Sequence, residues 1–185
     1  MPPSEEREPP RSSLRYGNPW ADPPSERDPV RQVRARLPAP VTVWTAGSEQ
    51  EWAGLTVSSL MLAQGEPGRL LGLIGPDTDL AETMARTGLF VVHLLADRPE
   101  HRRLAQHFAG TLSADPEHLQ VVPSEHGPRL NDAPDQLACR LESHRPCGWS
   151  ELVEATIEDV RWATTPPPSR PGLLWYRGAF RRWGE

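Results

Sequence analysis

Two long segments of alternating apolar and polar residues, 136–143 and 150–162, constrain the fold of this sequence more than any other feature. Alternation with a period of two is typical of half-buried β-strands. The segments are separated only by residues 144–149, which include Gly148. The sequence therefore predicts a long antiparallel hairpin with a turn at 144–149.

Shorter strand-like segments precede and follow this hairpin, and each is bounded by glycine, proline or polar residues. The segment 70–74 is apolar enough to be a strand that is buried on both faces. After the hairpin, two segments surround Gly178 and predict a terminal strand pair. The predicted shorter strands are 40–47, 53–63, 70–74, 89–95, 172–176 and 179–183.

Three short helices are predicted between the strands. The first begins at Asp28-Pro29, and its apolar face carries Val30, Val33 and Leu37. A capping box at 79–82 begins the second helix, which ends at Gly88. The third begins near Pro99, carries Leu104, Ala105 and Phe108 on its apolar face, and ends at Gly110. About eight strands, mostly adjacent in sequence, against three short helices favour a mainly β fold, an antiparallel barrel.

The first 27 residues differ in composition from the rest of the chain. They are rich in proline, serine and charge, and Tyr16 and Trp20 are isolated large apolar groups. Such a segment buries too little apolar surface to order itself, so residues 1–27 are predicted to be a disordered tail. Residues 28–185 are then one domain. A turn of helix at 116–118 and a linker at 166–168 are also expected.

The charged residues exclude several classes of function. No lysine occurs in the chain, which rules out Schiff-base chemistry and a Walker lysine. The formal charge is −5 and the arginines are scattered, which argues against nucleic acid as a partner. No apolar run is long enough to span a membrane, and the charged N-terminus is unlike a signal peptide. We therefore expect a cytoplasmic protein without a membrane partner.

The two cysteines do not indicate a disulfide or a metal site. Cys139, His144 and Cys147 match no common zinc-binding spacing, so no metal is expected. Both cysteines are interpreted as small buried apolar residues.

A run of small hydroxyl-bearing residues lies within the predicted strand 53–63. Thr56, Ser58 and Ser59 offer short side chains and backbone N–H groups to a ligand that lies flat against the strand. Polar residues on the solvent face of a half-buried strand would give the same pattern, and the residues alone leave this alternative open.

The segment that follows strand 70–74 leads directly into a helix. Backbone N–H groups at a helix N-terminus bind phosphate, and Thr78 adds a hydroxyl to those groups. Asp77 and Asp79 oppose phosphate binding through their negative charge. An ordinary capped helix start is the alternative interpretation.

Five motifs, taken in order and with matching spacing, resemble the flavin reductase-like, FMN-binding split-barrel family. The resemblance runs from about residue 29 to the end of the chain and implies an antiparallel split barrel that holds FMN, or FAD, and forms a homodimer. The motifs lie at 38–45, 53–59, 85–95, 104–110 and 174–178.

The resemblance also implies which residues contact the ligands. No acid or base catalyst is expected, because hydride transfer between nicotinamide and flavin needs alignment rather than proton transfer. The flavin ring would be lined by the strand residues Thr56, Val57, Ser58 and Ser59. The flavin phosphate would be held by the loop residues Gly75, Asp77 and Thr78. The nicotinamide or substrate would dock in the region of Ser150, Tyr176 and Arg177.

The implied function is an NAD(P)H:flavin oxidoreductase, in which NADH or NADPH reduces FMN or FAD and a monooxygenase partner receives the reduced flavin. The chain departs from the family pattern at Pro76, where a basic residue is usual, and at Ser150, where a histidine is common. Arg102 or Arg103 would supply the missing charge. The altered loop leaves two alternatives: a non-catalytic flavin-binding protein, and a flavin-free dimeric interaction module.

Overall fold

The computed structural model describes residues 28–110, 119–164 and 171–182. The predicted tail 1–27, the turn at 116–118, the linker 166–168 and Trp183 lie outside these ranges. The helices are α1 (Pro29–Ala35), α2 (Asp79–Thr87) and α3 (Pro99–Phe108). The strands are β1 (Ala39–Pro40), β2 (Thr42–Gly47), β3 (Trp52–Val57), β4 (Leu60–Ala63), β5 (Arg69–Ile74), β6 (Leu89–Leu94), β7 (Val121–Val122), β8 (Arg129–Leu130), β9 (Gln136–Cys147), β10 (Ser150–Arg161), β11 (Leu173–Tyr176) and β12 (Ala179–Arg182).

Seven strands form one antiparallel sheet in the order β3-β2-β6-β9-β10-β5-β4. β3 and β4 lie at opposite edges of this sheet, yet only Ser58 and Ser59 separate them in sequence. The sheet must therefore curl until its two edges lie close together, and the backbone N–H of Leu73 on β5 donates to the carbonyl oxygen of Ser59 at 2.9 Å, which extends the β4–β5 pairing into the link. The predicted mainly β, antiparallel split-barrel fold is confirmed. The single strand predicted at 53–63 is wrong, because the chain changes edges at 58–59.

The long hairpin is confirmed, but its turn is shorter than predicted. β9 and β10 pair up to Cys147 and Ser150, so only Gly148, with φ of 61°, and Trp149 form the turn. Pro146 is tolerated in the strand because bonding on the β6 side of β9 ends at Leu141, whose backbone N–H donates to the carbonyl oxygen of Gly88. Farther along, β9 has no second neighbouring strand in the described ranges to which an N–H would donate.

The main core lies inside the curled sheet and beneath α2. Trp44 and Phe90 are fully buried and stack with their ring centroids 5.1 Å apart. Gly72 on β5 is required for this packing, because a Cβ there would overlap the Trp44 indole. Leu80 and Met84 of α2 complete this cluster.

The predicted α2 is confirmed, with a correction at its start. The N-cap is Thr78 rather than Asp79: the Thr78 hydroxyl accepts a hydrogen bond from the backbone N–H of Ala81 at 3.3 Å. The helix ends at Gly88, whose left-handed φ of 69° matches the predicted C-terminal cap.

The predicted apolar face of α1 is exposed instead of buried. Asp28 caps the helix as predicted, but Val30, Val33 and Leu37 are 75%, 60% and 62% exposed. The buried residue of the helix is Ala35, whose carbonyl oxygen accepts a 2.8 Å hydrogen bond from the backbone N–H of Arg177.

A second, smaller core lies under α3 and the terminal sheet β1-β11-β12. Leu104 and Ala105 of α3 are buried there, as predicted. The terminal strand pair around Gly178 is also confirmed. None of the helices in the described ranges is long and apolar enough to cross a membrane.

Two residues that were predicted to be buried are exposed. Leu73 is 38% exposed, because β5 is buried on one face only: Leu70, Gly72 and Ile74 are on the buried face, and Leu73 points to the opposite one. Cys147 is exposed because it lies in the part of β9 that extends beyond β6. Cys139 is buried as predicted, and its burial raises the thiol pKa to about 12.

His93 connects the sheet to the segment before β9. Its side chain is fully buried. The Nδ1 atom lies 3.2 Å from the carbonyl oxygen of Ala133, and Nε2 lies 3.0 Å from the hydroxyl of Thr45. A carbonyl oxygen only accepts hydrogen bonds, so the contact with Ala133 is a hydrogen bond in the tautomer that carries its proton on Nδ1. Burial lowers the pKa of His93 to about 4, and hydrogen bonds to the carbonyls of Ala133 and Pro128 oppose this shift only in part.

This lowered pKa predicts a loss of stability in acid. Unfolded His93 binds a proton near its ordinary pKa of 6.5, whereas the folded protein binds it only near 4. Stability is therefore complete above the unfolded value and falls as the pH is lowered between the two values, by about 3 kcal/mol at pH 4. Chemical denaturation of the wild type and of His93→Gln between pH 7 and 4.5 measures this contribution.

The His93→Gln variant is expected to be less stable at pH 7 and to show a shallower pH dependence than the wild type. His144→Gln is the matched control, because His144 is 45% exposed at the hairpin end and its 3.3 Å contact with Glu151 is a surface ion pair, which contributes little to stability. This control should keep the wild-type slope. An unchanged slope in His93→Gln would show that His93 is not the group responsible.

Candidate functional site

Two cavities meet at the end of β3. The larger, of about 440 Å³, lies between β3, α3 and the β11–β12 hairpin. The smaller, of about 300 Å³, lies between α1, the end of β3, the segment after β5 and the β9–β10 turn. Thr56 and Ser58 line both cavities. Both volumes fall in the range of small-molecule sites, and molecules bound in the two cavities would both lie against this strand end.

The four strand residues predicted to line the flavin differ in what they present. Thr56 is buried, and its hydroxyl donates to the carbonyl oxygen of Ala105 on α3 at 2.8 Å. Val57 is part of the main core. The Ser58 hydroxyl makes no hydrogen bond to the described part of the chain, and Ser59 accepts one at 2.6 Å from Arg34 Nη2. Ser58 is thus the hydroxyl available to a ligand.

The three loop residues predicted to hold phosphate are not all at the cavity. Gly75 lines the smaller cavity. The Thr78 hydroxyl is occupied as a helix cap, because it donates to the carbonyl oxygen of Gly75 at 2.8 Å and accepts from Ala81 N–H. Asp77 is exposed and lines neither cavity. The structure brings only Gly75 of this set to the cavity.

The predicted nicotinamide region is divided between the two cavities. Ser150 lines the smaller one beside Trp149, which is 50% exposed. Tyr176 and Arg177 line neither cavity, although Trp175 lines the larger. Arg177 has a left-handed φ of 52°, so it forms the hairpin turn that is fastened to α1.

Several lining residues were missed by the sequence analysis. Arg31 and Arg34 of α1 line the smaller cavity together with Val30, whereas Val33 and Leu37 do not. The rings of Trp175 and Phe180, with their centroids 5.0 Å apart, line the larger cavity. The spacing of three residues between Arg31 and Arg34 indicates that they share one face of α1. Nothing in the sequence showed that this face lines a cavity.

The two arginines suggested as a replacement phosphate charge do not serve the smaller cavity. Arg102 lines the larger cavity and binds Asp97 through Nη2 at 2.7 Å, so its charge is largely neutralised. Arg103 is exposed and lines neither cavity.

The chemistry of the lining residues is that of binding and alignment. Neither cavity is lined by a histidine, cysteine or glutamate from the described ranges. Within those ranges no three side chains of His, Cys, Asp or Glu lie close enough to share a metal ion. The walls offer hydroxyls, backbone groups, arginines and aromatic faces, which bind flat and anionic ligands.

The sequence is similar to a known protein family and to individual proteins of known activity. Residues 34–184 match the model of the flavin reductase like domain family. The chain is 26% identical over 156 residues to the reductase component of 4-hydroxyphenylacetate 3-monooxygenase from Thermus thermophilus, covering 84% of this chain and 96% of that protein. It is also 26% identical over 167 residues to the NADH-dependent FMN reductase AsuE2 of Streptomyces nodosus subsp. asukaensis, covering 83% of each.

Solved structures share the fold. The NADH:FAD oxidoreductase SgcE6 of Streptomyces globisporus C-1027, in complex with NAD and FAD fragments, has a TM-score of 0.73 and 26% identity, covering 88% of this chain and 95% of that one. The styrene monooxygenase flavin reductase of Pseudomonas putida S12 has a TM-score of 0.67 and 21% identity, covering 82% and 95%. The chain therefore belongs to the flavin reductase-like domain family, which confirms the resemblance and the expected NAD(P)H:flavin oxidoreductase function.

Proposed function

We propose that this protein uses NADH to reduce FMN held at the end of β3, and that it passes the reduced flavin to a separate monooxygenase. The observation that carries the proposal is the junction of the two cavities at Thr56 and Ser58. Hydride transfer requires the two reacting rings to be in contact. A flavin in one cavity and a nicotinamide in the other would satisfy that requirement.

The smaller cavity has the donor set that a flavin needs. Ser58, Ser59 and Gly75 are small residues that leave room for a flat ring, and their backbone and hydroxyl groups offer hydrogen bonds to its polar edge. Trp149 adds an aromatic face at the opening. When bound, the flavin would supply the hydride acceptor, and the protein would supply binding and alignment.

The larger cavity is the proposed site for the nicotinamide nucleotide. Trp175 and Phe180 present aromatic surface on which a nicotinamide or adenine ring can stack. Gln106 brings a side-chain amide to the same wall. Such groups favour a planar heterocycle with an amide substituent, which is the chemistry of nicotinamide.

The monooxygenase partner, the cofactor preference and the location are inferred from the relatives. One relative is the reductase component of a monooxygenase, and one structural neighbour is a styrene monooxygenase flavin reductase. AsuE2 is NADH-dependent and reduces FMN, whereas SgcE6 was solved with FAD fragments, so FAD is the alternative flavin. A cytoplasmic location, where NADH is available, accompanies this proposal.

Anaerobic mixing with NADH tests the function directly. The protein saturated with FMN is expected to lose the visible absorbance of oxidised flavin roughly tenfold or more faster than free FMN does at the same NADH concentration, because the rings are aligned. NADPH and FAD, each substituted in turn, measure the preferences. Binding without faster bleaching would instead support the non-catalytic flavin carrier, and a protein that binds no flavin would support the interaction module.

The variant Ser58→Leu tests the ring site. A leucine at the junction of the cavities should lower FMN affinity by more than about tenfold while leaving the melting temperature of the flavin-free protein unchanged, since the added volume fills a ligand space. If Ser58 instead pointed into packed interior, overpacking would cost about 1–3 kcal/mol of stability.

Absorbance of bound FMN and thermal melts without FMN, on the same preparations, separate the two outcomes. Ser143→Leu serves as the matched control, because Ser143 is exposed on β9, and β2 and β6 lie between β9 and β3 in the sheet. Full FMN affinity in Ser58→Leu would remove Ser58 from the site.

We also propose that the protein is a homodimer in which the β4 edge is covered. Met61 and Leu62 are consecutive residues of this edge strand, so their side chains point to opposite faces of the sheet. Both are exposed, at 68% and 54%. An apolar edge strand that is open on both faces is the kind of surface that a second copy covers.

Light scattering at micromolar concentration is expected to give twice the chain mass of 20.6 kDa. The double variant Met61→Glu and Leu62→Glu should shift the mass to that of one chain, because charge would be buried at the interface. The same double substitution at the exposed pair Val33 and Leu37, which line neither cavity, is the control. A wild-type mass of one chain would contradict the dimer.

A further inference from the structure

We infer that Arg34, with Arg31 one turn before it, forms the anion-binding end of the smaller cavity and binds the phosphate of its ligand. The inference rests on the proposed function, in which FMN occupies this cavity. It assigns the phosphate to α1, away from the loop 75–78 before α2 where the sequence had placed it.

The position of the two arginines supports this assignment. Residues three apart in a helix share a face, and both Arg31 and Arg34 line the smaller cavity. Arg34 Nη2 donates to the Ser59 hydroxyl at 2.6 Å, which holds its guanidinium at the end of β3. A guanidinium carries five N–H donors in a fixed plane, so one bond to Ser59 leaves a geometry suited to a phosphate.

The charged residues that line the smaller cavity also favour an anion at its α1 end. The chain has no lysine, and among the residues that line this cavity Arg31 and Arg34 carry the positive charge. Asp28 also lines it and opposes an anion, but its carboxylate is engaged by the backbone N–H of Val30 at 2.8 Å. The arginines outnumber this carboxylate two to one.

The start of α2 is the less favourable end for a phosphate. Asp77 and Asp79 place two exposed carboxylates there, and the Thr78 hydroxyl is already bonded at both its donor and acceptor positions. A phosphate at this helix start would approach two like charges, whereas at α1 it would approach two arginines and one carboxylate that is already hydrogen-bonded to Val30. The ligand phosphate is therefore assigned to Arg34.

FMN and riboflavin are the paired probes, because they differ only in the phosphate. The wild type is expected to bind FMN more than about tenfold tighter than riboflavin at low salt, and raising the ionic strength should narrow the difference. In Arg34→Gln, FMN affinity should fall to that of riboflavin while riboflavin affinity is unchanged. Arg31→Gln should show the same pattern with a smaller loss.

Arg103→Gln is the control, since Arg103 is exposed and lines neither cavity, and it should keep the wild-type preference. Melting curves without ligand confirm folding, and Arg34→Lys, which retains the charge, should recover part of the preference for FMN. Three results would overturn the inference and leave the proposed function standing. The wild type could bind FMN and riboflavin equally well. Alternatively, Arg34→Gln could keep the wild-type FMN affinity, or it could lose affinity for both flavins equally. Failure of the wild type to bind either flavin would overturn both the inference and the proposed function.

Discussion

Because only Ser58 and Ser59 separate β3 from β4, two strands at opposite edges of a seven-stranded sheet are held within about 10 Å of each other. The sheet can satisfy this only by curling, and curling creates the enclosed space that Trp44 and Phe90 fill. Ser58 in this link lines both cavities, and Ser59 lines the smaller one. Closure of the fold and formation of the candidate site are therefore consequences of one connection.

Much of the fold could be predicted because its signals are local. Alternation indicated the β9–β10 hairpin, Gly88 indicated the end of α2, and the apolar spacing of α3 indicated its buried face. The break at 58–59 could not be found in this way, because Thr-Val-Ser-Ser has an ordinary strand composition and only the pairing of β4 with β5 shows the change of edge. The pairing partner and register of a strand depend on tertiary contacts, so they could not be predicted from the local pattern of this one sequence.

The candidate site was predictable to a smaller extent, for a related reason. Motif order placed Ser58 and Gly75 correctly at a cavity, because short residues at a strand end are a local feature. The arginines of α1 were missed because amphipathicity alone assigned the apolar face to the interior. In a helix of seven residues, one backbone contact from Arg177 to Ala35 and the bond from Arg34 to Ser59 are sufficient to orient it differently. The cost is exposed apolar surface on the helix.

The two cavities are lined by different elements of the fold, so the residues of one can change separately from those of the other. The smaller cavity is built by α1 and the β9–β10 turn, and the larger by α3 and the β11–β12 hairpin, so the two share only the end of β3. A substitution in one set of walls therefore changes one binding surface and leaves the other intact, since sites without shared partners act additively. The shared strand is different: Thr56 is bonded to Ala105 of α3 and Val57 is in the core, so a change there moves both cavities together. The walls of each cavity can thus vary separately, whereas the separation of the two proposed binding sites depends on the strand that they share.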